Sequence, residues 1–238
     1  MSATRKTARL TAARMLSPSV RSLGLTLMDG DGPLSFEAGQ WVDLYVRTGQ
    51  GEQKRAYSIA SAAGAGLLEI AVTRVEQGAA SNALHELPLG AELGVSGPFG
   101  LFTREAAQRQ QPALFVATGT GLSPLRSMLF DWQTQAARAP ITLLFGVRSE
   151  ADVLWGDELA QWAARDPAFR LEVTLSRAGE GWRGRRGYVQ QHVAELAREL
   201  DAPHVFICGL NRMVSEVRAL CKGELGLDRK RIHSERYD

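Results

Sequence analysis

The apolar pattern of this chain changes between residues 103 and 111, and the change divides the chain into two kinds of structure. Before it, short apolar runs such as WVDLYV, RAYSIA and LLEIAVTRV are separated by turn segments such as DGDGP at 29–33. Short strands with turn signals about every ten residues are typical of an antiparallel β-barrel or sandwich. Residues 1–108 are therefore predicted to form an all-β domain, interrupted by one helix at 81–87.

After the polar segment TREAAQRQQ, apolar strands alternate with longer helical stretches up to the closing RIHSERY. The strands are predicted at 113–118, 141–147, 169–176 and 204–209, and the helices near 123–136, 152–165, 187–200 and 211–222. This alternation indicates a doubly wound parallel α/β sheet, here residues 109–238. Ligands of such sheets bind at the carboxyl ends of the strands. A site between the two domains is therefore expected.

The first residues of the chain allow two interpretations. MSATRKTARLTAARML is rich in Arg, Thr and Ala and lacks acids, which resembles a transit peptide. From Ala8 onward, however, it reads better as two strands joined by a turn at 17–19, so only about half a dozen residues are spare. No apolar run approaches the ~20 residues that span a bilayer. The cytoplasm is therefore the expected location.

Composition excludes several classes of function. A formal net charge of +2 is too mild to indicate nucleic-acid binding, although it is compatible with an acidic protein partner. Cys208 and Cys221 are too few for an iron–sulfur cluster or a structural zinc site and are expected to be thiols. The four histidines show no metal-ligand spacing, and no Ser/His/Asp constellation stands out. No metal site is expected.

The segment ATGTGLSPLRSML at 117–129 follows an apolar strand and opens a predicted helix. Gly119 and Gly121 allow a ligand to approach the backbone closely, and the start of a helix is a ready anion site. Pro124 suits the first helical turn. The segment is neither GxGxxG nor a P-loop, because no lysine follows. A phosphate-binding loop is favoured over a tight turn without a ligand.

A second helix start, VEQGAASNAL at 75–84, also carries small residues. Taken alone, Ser81 reads as a simple helix cap, and the alternative is a second anion site. The strand segment RAYSIAS places Arg55, Tyr57 and Ser58 in the same domain. Two anion sites, one in each domain, suit two dinucleotides that meet at the interface.

Six motifs together carry a family resemblance. RAYSIAS, GAASNAL, SGPFG, ATGTGLSPLR, ICGLNRM and the terminal ERY occur in the order seen in the ferredoxin–NADP reductase family. The resemblance covers nearly the whole chain, from about Ala8 to Tyr237. It implies a flavin-binding β-barrel followed by a nicotinamide-binding α/β domain, which matches the organisation predicted from the apolar pattern.

The resemblance implies non-covalently bound FAD, because two phosphate-binding elements favour FAD over FMN. Arg55 resembles the arginine that pairs with the flavin pyrophosphate, Tyr57 the aromatic packed on the isoalloxazine, and Ser58 the hydroxyl near flavin N5. The implied FAD-binding residues are Arg55, Ala56, Tyr57, Ser58, Val72, Gly78, Ala79, Ala80, Ser81 and Tyr237.

The resemblance also implies a nicotinamide dinucleotide in the second domain. Ser176-Arg177 resembles the pair that receives the 2′-phosphate of NADPH, a dianion suited to arginine and hydroxyl donors. Tyr188 resembles the tyrosine that stacks near the same adenosine. The implied set is Thr118, Gly119, Thr120, Gly121, Pro124, Arg148, Ser176, Arg177, Arg185, Tyr188, Cys208 and Gly209. NADPH is favoured, and NADH stays open.

The implied reaction is hydride transfer between NADPH and FAD, followed by single-electron transfer to ferredoxin, flavodoxin or an oxygenase component. Ser58, Cys208, Glu235 and Tyr237 are implied to shape the hydride-transfer pocket, with Tyr237 covering the flavin. Asp238 follows this tyrosine, whereas plant-type members end on it. Two alternatives are an NADH-dependent oxygenase reductase component and a non-catalytic electron-transfer subunit; the intact motifs favour an enzyme.

Overall fold

The computed structural model describes residues 4–28 and 34–237. The turn predicted at 29–33 and the residue Asp238 lie outside the described residues. The first domain contains β1 (Lys6–Ser17), β2 (Val20–Leu27), β3 (Trp41–Thr48), β4 (Gly51–Ser58), β5 (Leu68–Thr73), α1 (Ala79–Glu86) and β6 (Glu92–Phe99).

The second part of the chain begins with a short helix and continues as alternating strands and helices. Its elements are α2 (Ala106–Arg109), β7 (Ala113–Thr118), α3 (Leu122–Gln133), β8 (Ile141–Val147), α4 (Gly156–Arg165), β9 (Phe169–Leu175), β10 (Arg185–Arg186), α5 (Val193–Arg198), β11 (His204–Leu210), α6 (Asn211–Gly223) and β12 (Ile232–Tyr237). No helix in the described ranges has the length and apolar character needed to cross a membrane.

The first sheet is antiparallel and curls into a barrel. Its strand order is β4-β3-β6-β1-β2-β5, and the chain just beyond β4 returns to the far edge, where Ile59 bridges Ile70 of β5. Inward-pointing residues such as Leu10, Leu23 and Leu44 are fully buried. Because side chains alternate across a strand, these residues fill the barrel and their neighbours face outward. The predicted barrel is confirmed.

The second sheet is parallel, with the order β10-β9-β8-β7-β11-β12. Helices α3 and α4 pack on one face through residues such as Leu125 and Leu159, and α5 and α6 pack on the other through Leu196 and Val217. The strand order reverses between β7 and β11, which makes a topological switch point there. The doubly wound sheet is confirmed, and the crevice at its switch point is where a ligand site is expected.

Element boundaries differ from the sequence expectations in a few places. Strand β1 begins at Lys6, and Arg5 before it donates two hydrogen bonds to Glu52, so the spare segment is shorter than predicted. The helix predicted from residue 152 begins only at Gly156, because Trp155 has left-handed backbone angles (φ 49°). The domain boundary predicted at 108/109 falls within α2 and stays a prediction.

A buried arginine fixes the two domains to each other. Arg126 of α3 is 3% exposed, and its guanidinium donates two hydrogen bonds to Glu158, at 2.6 and 3.0 Å. Its third nitrogen donates to the backbone oxygen of Ala60 and to Glu69 Oε2, both at 2.8 Å, across the domain interface. Burial alone would raise the pKa of Glu69, but Arg126 and further hydrogen bonds outweigh it and hold this pKa below its usual range.

We expect Arg126→Ala to lower the free energy of unfolding by about 3–5 kcal/mol, because two carboxylates would lose their buried counter-ion. The measurement is chemical denaturation followed by circular dichroism. Arg198→Ala is the matched control, since Arg198 pairs with Glu224 at 2.9 Å on the surface, where such pairs contribute about 0–1 kcal/mol. Similar losses in both variants would contradict a stabilising role of the interface arginine.

Two histidines pair at the amino ends of β11 and β12. His204 Nδ1 lies 3.0 Å from His233 Nε2, and the His233 ring stacks on Phe206 with centroids 4.4 Å apart. Burial lowers the pKa of both imidazoles from the ordinary 6.5, that of His233 to about 4. The folded protein therefore keeps both rings neutral at pH values where the unfolded chain already binds protons.

The histidine pair makes stability depend on pH. Its contribution is fully present above pH 6.5 and is lost as the pH falls towards about 4, because the unfolded state binds more protons in that window. We expect His233→Phe to flatten the rise of unfolding free energy with pH between these values. Denaturation series of both proteins at several pH values measure it, and parallel curves would rule out the predicted contribution of His233.

Candidate active site

A large cleft runs between the two domains at the carboxyl ends of β7, β8, β9 and β11. Its volume is about 1270 Å³. This exceeds the ~300–1,000 Å³ typical of a pocket for one small ligand, so the cleft has room for two extended ligands. The sequence-predicted residues that line it are Arg55, Ala56, Tyr57, Ser58, Gly78, Ala79, Ala80, Ser81, Thr118, Gly119, Thr120, Arg148, Ser176, Arg177, Tyr188, Gly209 and Tyr237.

The start of α1 faces the cleft with free backbone donors. The helix begins at Ala79, and its N-cap residue Gly78 makes no side-chain cap. Ser81 is the third helical residue; its hydroxyl donates to Gly78 O at 3.0 Å and accepts from Val75 N at 3.1 Å. The simple helix-cap interpretation of Ser81 is therefore wrong. First-turn amides have no partner within a helix, so this end offers N–H groups to an anion.

Close packing explains why glycine occupies position 78. A Cβ atom there would lie 2.6 Å from Ser81 Oγ and 2.9 Å from Val75 Cβ. The turn can therefore close only without a side chain, and closing it leaves the first-turn amides open to the cleft.

Arg55 and Tyr57 lie near this helix start, on β4. The Arg55 guanidinium donates to Lys54 O at 2.8 Å and Gln53 Oε1 at 2.9 Å, and no described carboxylate neutralises it. Its positive charge is therefore free to pair with a phosphate. Burial raises the pKa of Tyr57 to about 12, so the phenol stays neutral. A neutral, half-buried ring beside a free arginine suits the planar and anionic parts of a flavin dinucleotide.

The glycine loop after β7 brings two strand ends together. Residues Gly119–Gly121 form a 3₁₀ turn that leads into α3. A Cβ on Gly121 would lie 2.4 Å from Cys208 O, and one on Gly209 would lie 2.2 Å from Thr118 Oγ1. Gly209 also has φ +143°, a conformation that favours glycine. These glycines let the carboxyl ends of β7 and β11 approach each other at the switch point.

The centre of the cleft joins both domains through one hydrogen bond. Ser58 Oγ of the barrel donates to Glu235 Oε1 of β12 at 3.0 Å. Burial raises the pKa of Glu235, and the Ser58 hydroxyl opposes this by stabilising the carboxylate. Cys208 stands opposite Glu235 in the parallel ladder and is fully buried. Burial, assisted by Glu235, raises its pKa well above the ordinary value, so it stays a neutral thiol.

Tyr237 closes the same region. Its ring lines the cleft, while its buried Oη lies beside Ser58 and the Cys208 thiol without a well-aligned hydrogen bond to either. Burial raises the pKa of this phenol well above its ordinary value, so it remains a potential hydrogen-bond donor.

Two unpaired arginines mark the far end of the cleft. Arg177 follows β9, and its backbone N donates to the backbone oxygen of Arg148 at 2.8 Å, so the two residues lie side by side. Within the described ranges neither guanidinium bonds to an acidic group, and both line the cleft with Ser176. Tyr188 stands beside them with 67% of its surface exposed. This arrangement suits a phosphate next to an aromatic base.

Two predicted residues, Arg185 and Val72, have side chains engaged elsewhere in the fold. Arg185 donates to Glu172 Oε2 at 2.8 Å and to both oxygens of Glu195 at 2.9 Å, so its charge is used within the α/β domain. Its expected contribution to the phosphate site is therefore corrected. The Val72 side chain is fully buried in the barrel core, and its strand neighbour Thr73 lines the cleft instead.

Other predicted residues lie just behind the cleft wall. Gly121, Pro124 and Cys208 are buried, and Glu235 reaches the site through Ser58. Sequence reasoning missed Ser123, which is 2% exposed, lines the cleft and has a hydroxyl with no described partner. The sequence signal that could have identified Ser123 is its position inside the loop TGTGLSP. An unpaired buried hydroxyl next to a helix start fits a ligand oxygen.

Comparison with known proteins agrees with the division of the cleft between two nucleotide-binding domains. Residues 7–103 match the oxidoreductase FAD-binding domain, and residues 115–219 match the oxidoreductase NAD-binding domain. The chain is 56% identical over 238 residues to ferredoxin–NADP reductase B of Sorangium cellulosum, covering 97% of each chain. The chain belongs to the ferredoxin–NADP reductase family. It is an FAD-dependent NAD(P)H oxidoreductase, and the FAD cofactor and the enzyme assignment are confirmed.

Some relatives are longer than this chain. The chain is 33% identical to the phenol hydroxylase P5 protein of Acinetobacter pittii, covering 93% of this chain and 62% of that protein. The structure of the Amycolatopsis cytochrome P450 reductase GcoB superposes with a TM-score of 0.86 at 29% identity, covering 98% of this chain and 69% of the other. The present chain therefore corresponds to the two-domain unit that these longer relatives share with it.

We expect Arg55→Ala to weaken FAD binding about tenfold to a hundredfold, because it removes a free charged donor worth about 1.5–3 kcal/mol. Flavin content by absorbance and FAD titration of the apoprotein measure the loss. Lys54→Ala is the control, since Lys54 pairs with Asp43 at 3.0 Å outside the cleft lining. Unchanged flavin retention in a folded Arg55→Ala protein would contradict the assignment of this arginine to the pyrophosphate.

Proposed function

We propose that this reductase transfers hydride between NADPH and bound FAD and passes single electrons to a separate ferredoxin or flavodoxin. One observation carries the proposal: a single cleft joins a free arginine and a helix start in the barrel to two unpaired arginines in the α/β domain. The two anion sites fit two dinucleotides whose reactive ends meet between them.

We assign the residues at the cleft centre to positioning and polarity, not to covalent chemistry. Bound FAD would supply the hydride-accepting atom and the change to single-electron transfer. The Ser58 hydroxyl donates its hydrogen bond to Glu235, and this bond holds the hydroxyl and the carboxylate at fixed positions. Cys208 supplies a neutral wall, and Tyr237 covers the pocket and excludes water. Preorganised groups of this kind stabilise developing charge without having to reorient.

The choice of NADPH rests on Arg148, Ser176 and Arg177. Two guanidinium groups without acidic partners suit the 2′-phosphate dianion, which NADH lacks. The loop Thr118–Gly121 and the residues Tyr188 and Gly209 are assigned to the rest of the nicotinamide dinucleotide. Gly78–Ser81 and Arg55 are assigned to FAD.

We keep the domain limits 1–108 and 109–238 and a cytoplasmic location, which suits the two free buried thiols.

The acceptor is inferred from relatives. The Sorangium cellulosum protein, of nearly equal length, is named ferredoxin–NADP reductase, which favours ferredoxin. The Acinetobacter pittii relative is named as a phenol hydroxylase protein, which favours an NADH-dependent reductase of an oxygenase as the second candidate. The two candidates differ in the protein that takes the electrons and in the preferred nicotinamide.

The experiment has two stages. Under anaerobic conditions, NADPH should bleach the absorbance of the purified flavoprotein, and NADH should do so more slowly. Purified ferredoxin, flavodoxin and an oxygenase iron–sulfur component are then added separately, and re-oxidation is followed. Rapid oxidation by ferredoxin or flavodoxin supports the proposal. A flavin that stays oxidised with NADPH, or oxidation by the oxygenase component alone, would refute it.

We expect Arg177→Ala to raise KM for NADPH about tenfold or more and KM for NADH less than twofold. The reason is that only NADPH carries the 2′-phosphate that this guanidinium would bind. Steady-state kinetics with ferricyanide as acceptor measure both constants. Arg165→Ala, an exposed arginine outside the cleft lining, is the control. Equal effects on the two nucleotides would overturn the assignment of Arg177.

A further inference from the structure

A polar cluster on the first turns of α6 lines the same end of the cleft as the unpaired arginines. Arg212 Nε donates to Glu216 Oε1 at 2.7 Å, and Gln190 Nε2 donates to Glu216 Oε2 at 2.5 Å. All three side chains line the cleft. Glu216 therefore bonds to an arginine of its own helix, α6, and to a glutamine of the 3₁₀ turn that precedes α5.

This cluster lies at the end that suits adenosine. Gly187 N donates to Leu175 O at 2.9 Å, which places the segment 187–190 beside the carboxyl end of β9. Ser176 and Arg177 follow that strand directly. Gln190 and its partner Glu216 thus share this end of the cleft with Tyr188 and the two unpaired arginines.

Positively charged residues outnumber negatively charged ones along the described cleft wall. Among the described lining residues there are six arginines but only two carboxylates, Asp152 and Glu216. Asp152 accepts hydrogen bonds from Ser149 N at 3.0 Å and Ser149 Oγ at 2.7 Å, within its own turn. Of these two carboxylates, Glu216 is the one that pairs with a lining arginine; another lining arginine, Arg74, pairs at 3.2 Å with Glu86, which lies outside the lining.

We propose that Glu216 is a specificity-determining residue, which limits the preference for a 2′-phosphorylated nucleotide by holding Arg212 against α6. This inference rests on the proposed use of NADPH. With Glu216 present, the adenosine end offers two free guanidinium groups, Arg148 and Arg177, and one that is neutralised. Without it, Arg212 becomes a third free cation and one repelling charge disappears.

A purely structural role does not account for the cluster. The Arg212 side chain is 90% exposed and that of Glu216 42% exposed, and exposed pairs four residues apart on a helix add little stability. The second bond, from Gln190, fixes Glu216 on the cleft side of the helix. The carboxylate is thus kept where it acts on a bound anion.

Moderate phosphate binding has a kinetic advantage. The 2′-phosphate is remote from the reacting carbon, so its contacts are the same before and during hydride transfer. Such uniform binding lowers KM without raising kcat, and beyond a point it retards release of the oxidised nucleotide. A carboxylate that neutralises Arg212 keeps selectivity for the phosphate while limiting retention of product.

The test compares binding of two probes to the full-length, FAD-loaded protein by calorimetry. The probes are 2′,5′-ADP, which carries the 2′-phosphate, and 5′-AMP, which lacks it. The variants are Glu216→Gln, Arg212→Gln and the double variant. Glu224→Gln is the matched control, because Glu224 also pairs with an arginine, Arg198 at 2.9 Å, but outside the cleft lining.

We expect Glu216→Gln to bind 2′,5′-ADP about fivefold more tightly than wild type, the scale of removing one charge within a Debye length of a dianion. Binding of 5′-AMP should change less than twofold, and Glu224→Gln should match wild type. The gain should shrink when Arg212→Gln is added. Thermal midpoints of all variants confirm that the fold is kept.

The outcomes separate this inference from the proposed function. Wild type that prefers 2′,5′-ADP, with no change or an equal change for both probes in Glu216→Gln, overturns the role of Glu216 alone. Wild type that binds 5′-AMP at least as tightly as 2′,5′-ADP overturns the use of NADPH and, with it, this inference. A selective gain that persists unchanged in the double variant contradicts the role of Arg212.

Discussion

The Arg126 ion-pair cluster is the interaction on which the cleft depends. Glu158 belongs to the α/β domain, Glu69 and Ala60 belong to the barrel, and one buried guanidinium bonds to all three. Both carboxylates are partly buried, and separating the domains at this point would deprive Glu69 of its cation, which is costly. Trp155 donates to Glu69 as well and lies against the same guanidinium. The relative position of the two walls is thereby fixed before any ligand binds.

A second regularity is the division of the arginines into paired and unpaired groups. Arg126 and Arg185 each bond to two carboxylates inside the protein and contribute to its architecture. Arg55, Arg148 and Arg177 line the cleft without an acidic partner in the described structure. A free guanidinium in a cleft retains its full attraction for phosphate, whereas a neutralised one does not. The distribution of acids, as well as the position of the arginines, therefore decides which arginines are available to a phosphate.

Local sequence patterns predicted the fold class and most element positions because strand and helix periodicity are properties of neighbouring residues. These patterns did not predict hydrogen-bond partners of a side chain that are distant in sequence. The two glutamates of Arg185 lie 10 and 13 residues away, and the carboxylates of Arg126 lie 32 and 57 residues away. The α1 start was predicted two residues late, which turned an internal helix residue, Ser81, into a presumed cap. Motif order identified the family, which single patterns left open, and the family resemblance supplied the assignment of the site residues.

The hydrogen bond between Ser58 and Glu235 links architecture to chemistry. Ser58 ends a barrel strand and Glu235 lies in an edge strand of the parallel sheet, so their 3.0 Å contact exists only when the domains have the orientation that Arg126 fixes. The same contact places a carboxylate against a neutral thiol, since Cys208 and Glu235 are neighbours in the ladder. A shift of the domains would leave Glu235 buried without its donor and raise its pKa further. Protonation of the central carboxylate is therefore coupled to domain geometry, and through it to the residues that we assign to the two dinucleotides.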